Sequence, residues 1–201
     1  HPLSRRQRQM CIRDSPNADG LMLLATNGYT KLFDYIDNTN KTYKVIALLG
    51  YSSPTLDVDS EITKYDDISA DHLKHKIQEF LAKLVGESTQ TPPIYSAIKV
   101  KGKRLYKYAR QNQDVEIPDR TIFVESTELL EVNDNKVTFE ITVSKGTYIR
   151  SIVQQLGEYV NTYAIVETLT RTAIGNLNTN HKSLNTNVEA LNHNSTIMPL
   201  D

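Results

Sequence analysis

Val137, Phe139, Ile141 and Val143 alternate strictly with Lys136, Thr138, Glu140 and Thr142. A period of two places all four apolar side chains on one face of a strand, and a half-buried strand is the element such a run predicts. Asn133-Asp134-Asn135 lies just before it, and the β-rich stretch 120–130 before that. Two strand-like runs around a polar turn read as a hairpin. The chain is thereby committed to a sheet with a core on one side.

The rest of the pattern supplies what packs there. Tyr43–Gly50 is a β-rich run ending in glycine, hence a second strand, and residues 164–177 read as one or two more. Leu73, Ile77, Leu81 and Leu84 recur at helical spacing, predicting a helix that Ser69 caps and that runs to about Val85, with Gly86 as its stop. Ile149, Ile152, Val153 and Leu156 form one stripe, predicting a helix over Thr147–Val160. Residues 51–61 read as a turn-rich acidic loop, and Thr91-Pro92-Pro93 excludes helix or central strand because proline lacks the donor. A tight turn at Lys101-Gly102 joins two short extended arms, followed by a short helix over 104–111. Helices near 29–37, after the break at Gly28, and near 186–192 are also expected. Strand runs with interspersed helices imply an α+β domain around a mixed, largely antiparallel sheet.

Composition narrows the class. The chain has 201 residues, 39% of them hydrophobic and 23% charged, which reads as globular. No apolar run approaches the ~20 residues of a membrane helix. A single cysteine, Cys11, excludes an internal disulfide and fits a reducing, cytoplasmic setting. The head HPLSRRQRQMCIRDS carries four arginines and lacks the apolar core of a secretory signal. It reads either as a basic arm or as non-native, since MCIRDS back-translates to something like a sequencing-adapter end. Residues 1–15 are therefore set apart from a domain at 16–180, with 181–201 read as the end of that domain and the start of a linker.

Net charge is −1, so a polyanion must be met by a local patch. One exists. Lys99, Lys101, Lys103, Arg104, Lys107 and Arg110 fall within twelve residues without an acid, and Tyr95, Tyr106 and Tyr108 are interleaved. Cations bind phosphates with counterion release, and aromatics stack on unpaired bases. The plainer reading is a solvated hairpin face. Ser144-Lys145-Gly146-Thr147-Tyr148-Ile149-Arg150 ends one strand and opens a helix. On local pattern alone, its arginine reads as a surface residue and its tyrosine as core. Asp57 with Asp59, and Asp14 with Asp19, are acid pairs that read as solvated turn residues. His72 and His75 read as exposed, no cluster has metal-ligand spacing, and no phosphate-loop or dinucleotide glycine signature is present.

Several motifs in one order carry a resemblance. Pro92-Pro93-Ile94-Tyr95-Ser96-Ala97-Ile98-Lys99, Gly102, Leu105-Tyr106 and Tyr108-Ala109-Arg110 resemble the TruB-type tRNA pseudouridine synthases. So do Ser144–Arg150, Leu156-Gly157-Glu158, and Leu169-Thr170-Arg171-Thr172 with Gly175, where Thr170 replaces an arginine of the family. Thr30-Lys31 and Lys41-Thr42-Tyr43 fit its shorter elements, so the likeness spans roughly residues 16–201. The resemblance implies the pseudouridine synthase fold and isomerisation of a uridine in the TΨC loop of tRNA (position 55), with no metal or organic cofactor. The target base is flipped out to be reached. A carboxylate then attacks, at the sugar C1′ or by another route. The same resemblance assigns Tyr43 to stacking on the flipped base and late proton transfer, and Arg150 to pairing with the catalytic carboxylate. Tyr148 lines the pocket, Leu169 forms an apolar wall, Lys31 holds the active-site loop or RNA, and the 99–110 cluster grips phosphates. It implies a monomer that needs no protein partner.

Departures from the family pattern are equally specific. The loop Gly50-Tyr51-Ser52-Ser53-Pro54-Thr55-Leu56-Asp57-Val58-Asp59-Ser60 has Ser53 for threonine and Ser60 for glycine. Pro16-Asn17-Ala18-Asp19-Gly20 matches the second half of the family's catalytic tract, but Ser15 occupies the place of the nucleophilic aspartate and Met10 that of a histidine. Asp14 is one residue early, which displaces a carboxylate by up to ~3.5 Å. The family also has a segment upstream of this tract and a small C-terminal RNA-binding domain. The expectation is a tRNA-modifying isomerase whose chain, as written, does not turn over; the alternative is a tRNA-binding module of the same fold.

Overall fold

The computed structural model describes residues 18–23 and 40–179. The elements in order are β1 (Ala18–Gly20), β2 (Lys41–Leu49), β3 (Tyr51–Ser52), β4 (Thr63–Lys64), a 3₁₀ turn (Ala70–Leu73), α1 (Lys74–Leu84), β5 (Gly86–Gln90), β6 (Lys99–Val100), β7 (Lys103–Arg104), α2 (Leu105–Ala109), β8 (Arg120–Asn133), β9 (Lys136–Val143), α3 (Ile149–Tyr159), β10 (Ala164–Ile174) and β11 (Leu177–Asn178). The main sheet runs β1-β10-β2-β9-β8-β5, with β11 also on β10. Among the described strands only β1 joins it in parallel; the other strand pairings are antiparallel. This is the α+β class with the mixed, largely antiparallel sheet expected above.

The alternating run forms β9, and its apolar residues Val137, Phe139, Ile141 and Val143 are all buried. The hairpin with β8 turns at Asp134, whose φ is +53°. β8 is longer than its sequence pattern shows because two bulges, between Val124 and Ser126 and between Leu129 and Glu131, break the period of two. α1 and α3 cover the face carrying Val45, Ala47, Phe139 and Ile141, using Ile77, Phe80 and Leu81 from α1 and Ile149, Ile152, Val153 and Leu156 from α3. Each such side chain fully buried contributes roughly 1.5–3 kcal/mol. α3 approaches β10 closely: a Cβ on Gly157 would lie 2.6 Å from the Ala164 backbone nitrogen.

Three expectations change. The stretch from Ser69 begins as a 3₁₀ turn and becomes an α-helix only at Lys74; Ser69 is extended and makes no side-chain cap. Gly86 does stop that helix, at a φ of +115°, but it also opens β5, a polar edge strand (GESTQ) with no apolar alternation to reveal it. Residues 51–61 contain β3 and the structured turn described below. The helices expected near 29–37 and 186–192 lie outside the described residues.

β1 is short yet tightly seated. A Cβ on Gly20 would lie 2.3 Å from the Arg171 carbonyl oxygen, and the Gly20 φ is +101°. Leu21 N–H donates to the Arg171 carbonyl (2.8 Å), while the fully buried Arg171 returns a bond from Nε to the Leu21 carbonyl (2.7 Å). The segment from Ala18 to Leu21 is thus locked along β10, with Ala18 opposite Leu169.

Candidate active site

Asp57 bridges Val166 on the β10 edge that β1 also occupies. Arg150, in the first turn of α3, is buried rather than a surface residue as its local pattern implied. One terminal nitrogen donates to the Thr55 carbonyl (2.9 Å) and to Asp57 Oδ2 (3.3 Å); the other donates to the Tyr95 carbonyl (3.0 Å). Among the described residues these bonds use three of the five guanidinium N–H groups.

Asp57 overturns its reading as a solvated turn residue. It is 3% exposed and paired with Arg150. Its second oxygen, Oδ1, accepts from Thr55 Oγ1 (2.5 Å) and from the Asp59 N–H (3.1 Å), while Ser53 Oγ donates to the Asp57 carbonyl (2.6 Å). A buried charge is tolerable only when paired and hydrogen-bonded in this way. Thr55 Oγ1 also meets Ser60 Oγ at 2.7 Å, so the serine that replaces the family glycine is built into the turn. Between Thr55 and Asp57, Leu56 adopts a φ of +62°, which costs a non-glycine residue roughly 1–2 kcal/mol. Leu56 N–H to the Ser53 carbonyl (3.1 Å) and Val166 N–H to the Leu56 carbonyl (3.0 Å) hold it there. The strained residue lets consecutive groups of the loop face the same arginine nitrogen.

Tyr43 is buried on β2, opposite Ile141 on β9 and Arg171 on β10. Leu169 is buried on β10, opposite Val45 and Ala18, and both Tyr43 and Leu169 belong to the main core cluster. Tyr148 is half-buried at the N-cap of α3. Lys31, Asp14 and Ser15 lie outside the described residues. Asp19 is exposed, as are His72 and His75. Among the described residues no cluster of His, Cys, Asp and Glu could hold a metal ion, and no helix is long and apolar enough to cross a membrane.

The basic cluster is one folded unit. β6 and β7 pair as a minimal hairpin whose turn residues Lys101 and Gly102 both have positive φ, +49° and +80°. Lys99, Lys101, Lys107 and Arg110 are exposed, with Arg110 5.5 Å from the Tyr106 ring centroid. Lys103 is committed internally: it lies 4.3 Å over the Tyr108 ring and bonds the side-chain carbonyls of Gln111 and Gln113 (2.7 Å to the latter). Arg104 is half-buried, and its buried Nη1 has no hydrogen-bond partner among the described residues. Leu105 N–H bonds the Ile98 carbonyl and Tyr106 N–H the Ser96 carbonyl, so the unit is tied to the segment whose Tyr95 carbonyl holds Arg150. Asp57 and Tyr95 were missing from the sequence-based site. The Gly-x-x-Ser-x-Thr-x-Asp spacing was a visible signal for Asp57; a backbone carbonyl leaves none.

This architecture is that of the pseudouridine synthases. It resembles Cbf5 in a crystal structure of a Cbf5-Nop10-Gar1 complex, with a TM-score of 0.56 and 25% identity, covering 79% of this chain and 37% of that one. Residues 15–149 match the model of the TruB family pseudouridylate synthase N-terminal domain, and the chain belongs to that family. Among curated relatives, tRNA pseudouridine synthase B of Mycoplasmopsis pulmonis is 39% identical over 165 residues, and that of Mycoplasma mobile 42% identical over 169. These alignments cover 82% and 83% of this chain, but the chain spans only 58% of the length of each of those relatives.

Proposed function

We propose that this protein has the architecture of an enzyme that isomerises uridine to pseudouridine in the TΨC loop of tRNA, a reaction that requires an aspartate at position 15. Its partner is tRNA, and it acts as a cytoplasmic monomer without an organic cofactor or an obligate protein partner. Family membership and the relatives' names support the reaction. The observation that carries the reading is the buried Arg150, held by Asp57 and two carbonyls. A carboxylate beside such a guanidinium is favoured in its ionised form, and an ionised carboxylate is the nucleophile the reaction needs. The base leaves its stack, the carboxylate bonds C1′ as the glycosidic C–N bond breaks, the uracil turns, C5 bonds C1′ and frees the carboxylate, and C5 loses its proton while N1 takes one up. Tyr43 stacks on the base and takes part in that proton transfer, Tyr148 and Leu169 wall the pocket, and Lys31 and the basic unit hold RNA.

Ser15 stands where the nucleophile belongs, and a neutral hydroxyl does not replace a carboxylate. The chain as written therefore binds tRNA without converting it. The same serine favours the second reading, a tRNA-binding module without catalysis. The test is pseudouridine formation in a tRNA transcript by a protein carrying Asp14→Leu and Ser15→Asp behind a family-type upstream tract. Product from that protein, and none from the unaltered chain, is expected. Tight tRNA binding with no product from either supports the binding module instead.

A further inference from the structure

Gln90, the last residue of edge strand β5, is 2% exposed, an unusual place for an amide. Its side chain reaches across to Tyr148 and pairs with both peptide groups of that residue: Tyr148 N–H donates to Gln90 Oε1 (2.8 Å), and Gln90 Nε2 donates to the Tyr148 carbonyl (3.0 Å). Tyr148 is the N-cap of α3 and makes no side-chain cap of its own. The next residue of the chain adds a second tie, from Ser151 Oγ to the Thr91 carbonyl (3.0 Å). Arg150 sits between these anchors and donates onward to the Tyr95 carbonyl, five residues further along the same segment. Tyr148 and Ser151, on either side of Arg150, are thus held by two adjacent residues, the last of β5 and the one that follows it.

We propose that Gln90 is a positioning residue: by pairing with both peptide groups of Tyr148, its buried amide fixes the first turn of α3 and so aims Arg150 at Asp57 and the two carbonyls. The amide is suited to this because a neutral group that both donates and accepts can satisfy one N–H and one C=O without burying charge. An apolar residue of similar size fills the space but leaves the Tyr148 N–H without its acceptor. A carboxylate accepts from that N–H but, when ionised, faces the Tyr148 carbonyl with no proton to give. The role builds on the function proposed above, in which Arg150 serves a nucleophile, but the placement of Arg150 can be read without any turnover.

The experiment compares guanidinium NMR signals in the full chain. Arg150 Nη–H resonances should be resolved and slowly exchanging in the unaltered protein, with the Arg171 Nε–H, bonded to the Leu21 carbonyl, as the internal control. Gln90→Leu should broaden the Arg150 signals while that of Arg171 persists. Gln90→Glu should broaden them at pH 8 and restore them as the pH falls and the buried carboxyl, raised by burial, becomes neutral and able to donate. The unaltered protein should show no such recovery over that range. Arg150 signals unchanged in both variants would overturn the proposal. If Gln90→Leu loses both arginine signals through unfolding, the pH-dependent recovery of Gln90→Glu decides, and its absence overturns the proposal. In the protein with the restored nucleophile, Gln90→Leu should lower kcat at least ~10-fold with KM for tRNA unchanged. Lack of product from that protein before substitution counts against the proposed function alone.

Discussion

The Arg150 pocket and the 99–110 unit are both made of positive charge, and they use it in opposite ways. In the pocket one cation is removed from water, and each bond it makes is specified by a residue far away in sequence: Thr55, Asp57 and Tyr95. In the hairpin–helix unit four cations stay in solvent and act by their sum. A buried charge is decisive one residue at a time, because removing its partner leaves an uncompensated ion. An exposed cluster is graded, each lysine contributing a similar and salt-screened share.

The sharpest way to break this contrast is Arg150→Met. It should strand the Asp57 carboxylate and destabilise the protein by about 3–5 kcal/mol. A thermal melt should then fall by on the order of 10 °C, and a drop of a degree or two would mean that the pocket is as solvated as the hairpin. The equivalent deletion in the other region, Lys99/Lys101/Lys107→Ala, should leave the melt unchanged. It should instead weaken tRNA binding and reduce the slope of log affinity against log salt by about three, one per lysine. Lys103→Ala separates membership of the cluster from function: packed on Tyr108 and bonded to Gln111 and Gln113, it should loosen the unit while changing the salt slope less than Lys101→Ala does.

The smallest effect lies outside both regions. Exposed Glu79 on α1 has its carboxyl held below the usual carboxylate range by its hydrogen bond with Lys83, with Tyr159 adding to it. A depressed folded value contributes stability above the unfolded value that is lost as pH falls through the folded one. Glu79→Gln should therefore lower the melt slightly at neutral pH, and the difference from the unaltered protein should vanish in acid.

How much of this was legible follows from the same contrast. The hairpin, α3 and the basic unit announce themselves within short windows, because alternation, helical stripes and charge density are local. β5 escapes because a polar edge strand has no apolar face to alternate. The start of α1 shifts because Ser69 finds no capping bond in its tertiary setting. Asp57 looked like a turn acid because nothing near it in sequence tells of Arg150, 93 residues away, or of the strand β10 that seals it. Arg150 looked like surface on pattern alone, and only the family resemblance marked it. The Tyr95 carbonyl and the left-handed Leu56 contribute through backbone, which a list of side chains does not display.

The central claim is that Arg150 works through its fixed set of contacts and not through charge alone. Arg150→Lys keeps the charge but loses the planar fork that meets Asp57 and two carbonyls together. The direct measurement is the rate of pseudouridine formation in a tRNA transcript, using the protein with aspartate restored at position 15, with and without Arg150→Lys. The account predicts a loss of at least ~100-fold with tRNA affinity retained; an unchanged rate would contradict it.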